Sequence, residues 1–361
     1  MKIILATGIY PPDIGGPATY AHALAEEMTK RGSSVVVITY GRINNEQLTM
    51  NNSWEVIRIA KRFPILRWFL YARALKKHAK DADVVIAFSS VSAGVPVKLA
   101  KLKCKKILRL GGDFFWERYT ARGGMLGLRR WYKRQVPSSL LLRYFATLLL
   151  RSFNHIVFST EMQKDIYTES YKKLPARRVI ENAMPSGNTV HHKKNSPFRL
   201  LFMGRFVGFK NLPTLLHAVS VLDSVTLEFV GDGPEKGRLE KLVDTLGIQN
   251  RVSFTSSLHA DEKIKAFAEH DLLVIPSVTE ISPNVALEAR ANGLPVLLTE
   301  VTGLSEMLTN GMVVKDLSTP GNIVKALQEV MGNYESVAEK ATSEPPKRGW
   351  SEVADDFLTL L

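Results

Sequence analysis

Two glutamates eight positions apart, Glu280 and Glu288 in the run PSVTEISPNVALEARANGLPV, bracket residues that open a helix. Ser282 suits the N-cap and Pro283 the first helical position, which leaves the amides of Asn284 and Val285 free at the positive helix end. Such an end attracts an anion, whereas two carboxylates held directly against that anion would repel it. The pair makes sense as acceptors for hydroxyl groups flanking a phosphate, as on a ribose and a sugar ring. Upstream, GRFVGFKN sets Arg205 and Lys210 just past a strand-like run that closes at Gly204. Two cations there can neutralise a diphosphate. GDGPEKGRLE then supplies Gly231 and Gly233 at the end of the next such run.

A fourth loop of this kind stands near the start, in YPPDIGGPATYAHALAEEM. Gly15 and Gly16 let a ligand approach the backbone closely, Gly16 can cap the helix, and Pro17 fits its first position. Ala18 and Thr19 then present N–H groups, and Ala21, Leu24, Ala25 and Met28 form the apolar stripe that fixes the helix. The glycine spacing is not G-x-G-x-x-G, which argues against nicotinamide chemistry. Each loop alone reads equally as a solvated turn. Four at successive strand ends point to a phosphate-bearing ligand.

The elements that must position these loops alternate between β-branched runs and helical periodicity, the pattern of parallel α/β sheets. KIILATG, SSVVVITY, WEVIRIA, DVVIAFSS, KKILRLGG, HIVFST and RRVIENA are the strand candidates of the first half. FRLLFMGRF, VTLEFVGDG, RVSFTSS, DLLVIPSV, LPVLLTE and GMVVKD are those of the second. Between the halves lies MPSGNTVHHKKNSP, rich in turn formers and charge. The expected organisation is two doubly wound domains in tandem, 1–186 and 198–345, joined by a linker at 187–197. In RGWSEVADDFLTLL, the spacing of Trp350, Val353, Phe357, Leu358 and Leu361 predicts an amphipathic closing helix within 346–361. That helix is expected to pack back toward the first domain.

A chain of 361 residues can bury two such cores. Its apolar runs fall short of a membrane span, and MKIILATGIYPP lacks a cleavage-type tail. The lone Cys104 fits a reducing compartment, so a cytoplasmic location is expected. The DAD triplet Asp81–Asp83 precedes its strand instead of following it, which reads as a solvated turn. The eight histidines show no ligand spacing. Neither metal nor any other cofactor is expected.

Taken together, YPPDIGG, the GRF…K run, GDGP, the Glu280–Glu288 run and a late TGLSEML resemble the retaining glycosyltransferases of family 4. The second-domain set, over residues 198–310, is the specific part. The resemblance implies the GT-B architecture, two Rossmann-like domains facing a central cleft, and a nucleotide-diphosphate-sugar donor. It implies further that Arg205 and Lys210 hold the donor diphosphate, and that Glu288 bonds the ribose. Glu280 would then stand near the donor sugar hydroxyls, with Ser282 to Val285 against sugar and phosphate. Gly15 and Gly16 would belong to a first-domain loop closing over the phosphates, and Gly204, Gly231 and Gly233 to the donor site. Retention would come from attack on the face the leaving group departs from, so no nucleophile is nominated. Many relatives carry a histidine where this chain reads LRLGGDFFWERY. Asp113 is the nearest polar candidate and Glu117 the second; Asp113 reads equally well as the cap of the following helix.

The net charge of +13 hides an asymmetry. Residues 1–190 hold 31 Lys+Arg against 13 Asp+Glu, and residues 191–361 hold 17 against 22. Residues 56–80 and 118–151 each carry eight cations and no acid, interleaved with Trp, Phe, Tyr and Leu. That combination suits an anionic membrane surface, which makes a lipid-linked or envelope glycan the expected acceptor. The competing reading is a core helix over Leu140–Leu150 with solvated arginines. Nucleic acid is not expected, since no module motif is present. Two other functions compete: a GT-B-type nucleotide-sugar epimerase, for which no acid/base set stands out, and a non-catalytic basic binding protein on the same scaffold, which would have no use for the two cations and two acids.

Overall fold

Runs such as VVIAF and LLVI bury every residue, as strands covered by helices on both faces must. In the computed structural model, which describes residues 1–13, 15–41, 47–51, 53–61, 63–134, 137–187, 189–258, 260–344 and 346–361, these runs build two separate sheets. Asn188 of the expected linker lies outside the described residues. The chain divides into two compact units, one of residues 1–114, 132–183 and 348–361, the other of residues 115–131 and 184–347. This differs from the division expected at 186/198. Residues 115–131, from the first half of the sequence, pack with the second. Residues 348–361 pack with the first.

The first unit holds β1 (Lys2–Ala6), β2 (Ser34–Gly41), β3 (Gln47–Asn51), β4 (Trp54–Ala60), β5 (Val84–Phe88), β6 (Lys105–Leu110), β7 (His155–Phe158) and β8 (Ala176–Val179). Their order is β3-β4-β2-β1-β5-β6-β7-β8, parallel except for β3 against β4. Strand β3 was not expected; QLTMN is short and half polar, and it pairs only at the sheet edge as a hairpin partner of β4. The helix Gly16–Lys30 lays Ala18, Tyr20, Ala21, Leu24, Ala25 and Met28 on this sheet.

The second unit holds β9 (Phe198–Met203), β10 (Val225–Val230), β11 (Val252–Thr255), β12 (Leu272–Ile275), β13 (Val296–Thr299) and β14 (Val313–Lys315). The order β11-β10-β9-β12-β13-β14 is all parallel and reverses direction between β9 and β12. At such a switch point, at the carboxyl ends of the strands, doubly wound sheets take their ligands. The loops after β9 and β12 are those that carry Arg205, Lys210 and Glu280.

Candidate active site

Strand β9 ends just before Gly204, and Lys210 closes a single 3-10 turn over Gly208–Lys210. Strand β12 ends at Ile275 and delivers Ser277 and Glu280. The two loops meet: the Lys210 ammonium donates to the Glu280 carboxylate, and Ser277 Oγ donates to the same oxygen at 2.5 Å. The side chains are 14% and 6% exposed, so this is a largely desolvated ion pair. Backbone bonds fix it from both sides, with Val278 N–H on Phe209 O at 2.8 Å and Glu280 N–H on Val301 O at 2.9 Å. Gly303 N–H returns to Glu280 O at 2.7 Å, which gives the late TGLSEML run its place.

Asn211 escaped the sequence reading. It is buried with a left-handed backbone, and its Nδ2 donates to Pro276 O at 3.2 Å, tying the Lys210 loop to the end of β12. The only signal was an Asn ahead of a helix with proline in its first turn. Arg205, by contrast, is exposed and meets no partner among the described residues, so its charge is uncommitted.

Gly204 and Gly231 adopt φ of 153° and 138°, which disfavour a side chain. A Cβ on Gly231 would overlap Gly204 O, and one on Gly233 would overlap Phe206 O. Phe206 N–H bonds Asp232 O at 2.9 Å. These glycines let the loops after β9 and β10 lie backbone to backbone, a structural reason that sequence alone does not display.

The helix expected at Ser282 begins at Asn284, with Pro283 at its N-cap, and Ser282 makes no capping bond. The Ser282 hydroxyl is covered and has no partner among the described residues. A proline at the cap position leaves the amide end to Asn284 and Val285, with the cap one residue later than predicted. Glu288, on the same helix, receives Lys263 Nζ at 2.6 Å. That lysine comes from the Ala260–Glu269 helix, so Glu288 has a cation of its own.

Gly15, Gly16 and Asp113 belong to the first unit. The first helix starts at Gly16, and Gly15 is its N-cap, with φ of 156°; a Cβ there would stand 2.7 Å from Ile9. Ala18 and Thr19 N–H both bond Gly15 O, at 2.9 and 3.2 Å, so the expected free amides there are used internally. Asp113 does precede a helix, Phe114–Thr120, but it is fully buried. Its Oδ2 accepts from Tyr132 at 2.6 Å and Tyr167 at 2.8 Å. Burial and the carboxylate push both phenols well above the usual tyrosine range. Asp113 is thus a tyrosine-clamped anchor rather than a group facing a ligand. The DAD triplet lies at the opening of β5, where Asp81 pairs Lys2 Nζ at 2.6 Å and Asp83 takes Lys2 N–H at 2.7 Å.

A cation–carboxylate pair at the switch point of one doubly wound unit, with a second such unit in the same chain, defines the class. Residues 14–185 match the profile described as Glycosyltransferase Family 4, and residues 188–343 that described as Glycosyl transferases group 1. The chain belongs to this family and has its GT-B fold of two Rossmann-like units. Over its full length it is 26% identical to an uncharacterised glycosyltransferase of Methanocaldococcus jannaschii, covering 97% of that protein. It is 23% identical to the alpha-monoglucosyldiacylglycerol synthase of Streptococcus pneumoniae, over 86% of this chain and 74% of the synthase. Among solved structures, Anabaena HepE in complex with UDP-glucose superposes with a TM-score of 0.75 at 16% identity, all of both chains being covered.

Proposed function

We propose that this glycosyltransferase moves a sugar from a nucleotide-diphosphate-sugar to an acceptor hydroxyl with retention at the anomeric carbon. One observation carries the reading: Lys210 and Glu280, from loops seventy positions apart, meet at the switch point with Arg205 uncommitted nearby in sequence. When a diphosphate enters, it competes with Glu280 for the Lys210 ammonium. Released from the lysine, Glu280 accepts from a sugar hydroxyl. Lys210, with Arg205, then neutralises the charge that grows on the β-phosphate as the glycosidic bond breaks, and cations already engaged by the diphosphate need no reorganisation at that moment. Asn284 and Val285 amides and the Ser282 hydroxyl line the same helix end, while Glu288 exchanges Lys263 for ribose hydroxyls. Gly15 and Gly16 bring backbone to the phosphates; among the described residues their own N–H groups have no partner. The acceptor hydroxyl attacks from the departing side and passes its proton to the leaving phosphate oxygen. No metal enters this scheme.

The acceptor we infer is a lipid-linked glycan at the cytoplasmic face of an anionic membrane. Phe63 is 86% exposed, and Ile65, Leu66 and Phe69 on the Pro64–His78 helix are more than half exposed. Leu141, Tyr144 and Phe145 are likewise exposed on the Pro137–Leu150 helix, while its Arg143 turns inward to Tyr132 O. The competing reading, a core helix with solvated arginines, keeps part of its ground, since Ala146, Leu149 and Leu150 of that helix are buried and Arg129, Arg130, Arg134 and Arg151 are exposed. The Pro64–His78 helix packs against the short Val95–Ala100 helix, whose Lys98 reaches Leu148 O of the other at 2.9 Å. Among the described residues no helix is long and apolar enough to cross a membrane. The diacylglycerol in the streptococcal relative's name supports a lipid acceptor.

A thermal-shift screen of UDP-, GDP-, ADP- and dTDP-sugars tests the donor site. A donor at one hundred times its Kd adds about 2.7 kcal/mol to the stability of the unit that binds it. One donor class should stabilise the wild type, and Lys210→Ala should lose most of that gain. Equal shifts in both proteins would refute the assignment.

A further inference from the structure

The excursion 115–131 leaves the first unit, packs in the second and returns. Within the second unit it touches the two loops that carry the Lys210–Glu280 pair. Trp116 is buried and its ring lies 5.1 Å from that of Phe209, the residue before Lys210. Phe209 in turn underlies the Lys210 ammonium, 5.1 Å from its ring centroid. On the other side, Leu128 N–H donates to Thr279 Oγ1 at 3.2 Å, next to Glu280, and the Leu128 side chain is fully buried.

The fit is close enough to dictate glycine at position 208 and to crowd a side chain at position 127. A Cβ on Gly208 would stand 2.6 Å from Thr120 O, although its backbone needs no glycine conformation. A Cβ on Gly127 would stand 3.1 Å from Thr279 Oγ1. Trp116 Nε1–H donates to Leu126 O at 2.8 Å and so ties the outgoing limb of the excursion to the returning one. The Asp113–Tyr132 bond does the same at its base in the first unit.

We propose that residues 115–131 are a positioning element of the donor site, Trp116 setting Lys210 through Phe209 and Leu128 setting Glu280 through Thr279. This rests on the donor-site reading above. A lysine whose neighbouring ring is buttressed loses less side-chain freedom when a diphosphate takes it, so binding is stronger for the same contact. The first half of the chain thereby helps build a site whose charged groups all come from the second. None of the excursion's residues is assigned contact with the reacting atoms.

The test is titration calorimetry of UDP, GDP, ADP and dTDP into the full chain, with unfolding followed separately in the absence of nucleotide. Trp116→Leu is expected to weaken the preferred diphosphate about tenfold while the protein stays folded at the titration temperature. Trp116→Phe, which keeps a ring against Phe209, should recover most of that loss. In the Lys210→Ala background, Trp116→Leu should weaken binding no further, because the two act through one group. Additive effects, or a folded Trp116→Leu chain with wild-type affinity, would overturn the positioning role and leave the donor site standing. If Trp116→Leu does not fold, Thr279→Val replaces it, removing the acceptor for Leu128 N–H with little change of volume; unchanged affinity there also counts against the proposal. A wild type that binds none of the four overturns the donor-site reading, and this inference with it.

Discussion

At the scale of single residues, the Lys210–Glu280 pair carries a cost as well as a use. Without a ligand, a carboxylate whose side chain is 6% exposed is tolerable only while its cation and Ser277 remain. Lys210→Ala should therefore destabilise the unliganded protein by about 3 kcal/mol or more. Lys210→Met combined with Glu280→Gln should cost less than the single change, since no charge is then left stranded. Urea unfolding of the wild type and these variants checks it, and a single change costing as little as the double would show the pair to be solvated. Both residues are legible in the sequence because each stands in the short stretch between a strand-like apolar run and the helix that follows it, where a doubly wound fold puts its ligand loops. Asn211 and Ser277 are not, since the value of Asn211 lies in reaching Pro276 O on the opposite loop and that of Ser277 in a turn that brings it onto the Glu280 carboxylate. Asp113 is misleading for the same reason: its tyrosines stand 19 and 54 positions away.

At the scale of elements, periodicity located thirteen of the strands, because β-branched runs buried on both faces leave an uninterrupted signal. It failed at β3, whose pairing comes from the hairpin to β4. It also missed two helix starts by one residue, where Gly15 and Pro283 hold the caps expected at Gly16 and Ser282. The exposed helices make the prediction that belongs at this scale. Apolar side chains left in water on Pro64–His78 and Pro137–Leu150, with cations interleaved along residues 56–80 and 118–151, should hold the protein on anionic vesicles. Flotation should require anionic lipid and weaken in salt, as screening shortens the reach of the cations. Phe69→Ser with Phe145→Ser should reduce the bound fraction at least tenfold, each ring contributing about 1.5–3 kcal/mol if buried in lipid. Their exposure in water means that the unfolding transition should hardly move. Equal flotation on neutral vesicles would remove the cations from the account.

At the scale of the whole molecule, the last fourteen residues complete a unit that the first residues begin. Val353, Ala354 and Phe357 are fully buried in the first unit's core, and the Trp350 ring stands edge-on to Tyr20 at 4.8 Å. Arg31 Nη2 reaches Ser351 O at 2.9 Å and Asp355 at 3.2 Å, and Lys105 Nζ reaches Leu361 O at 2.6 Å. The start of this closing helix is fixed locally, by Glu352 accepting from Gly349 N–H at 2.8 Å. The amphipathic spacing was visible in sequence, but which sheet it covers depends on contacts more than three hundred positions away. Ending the chain after Lys347 should therefore damage the first unit and spare the second. Loss of Val353 and Phe357 alone removes about 3–6 kcal/mol of burial, a large share of the 5–15 kcal/mol that holds an ordinary domain. Hydrogen exchange of the truncated protein should show lost protection across the helix Gly16–Lys30 and strand β1, with β9 and β12 still protected. Phe357→Ala should reproduce the pattern more weakly, at about 3–5 kcal/mol. Full protection of Gly16–Lys30 in the truncated chain would mean that the first unit closes its core without the carboxyl-terminal helix, and that the helix is an accessory to the fold instead of its last structural part.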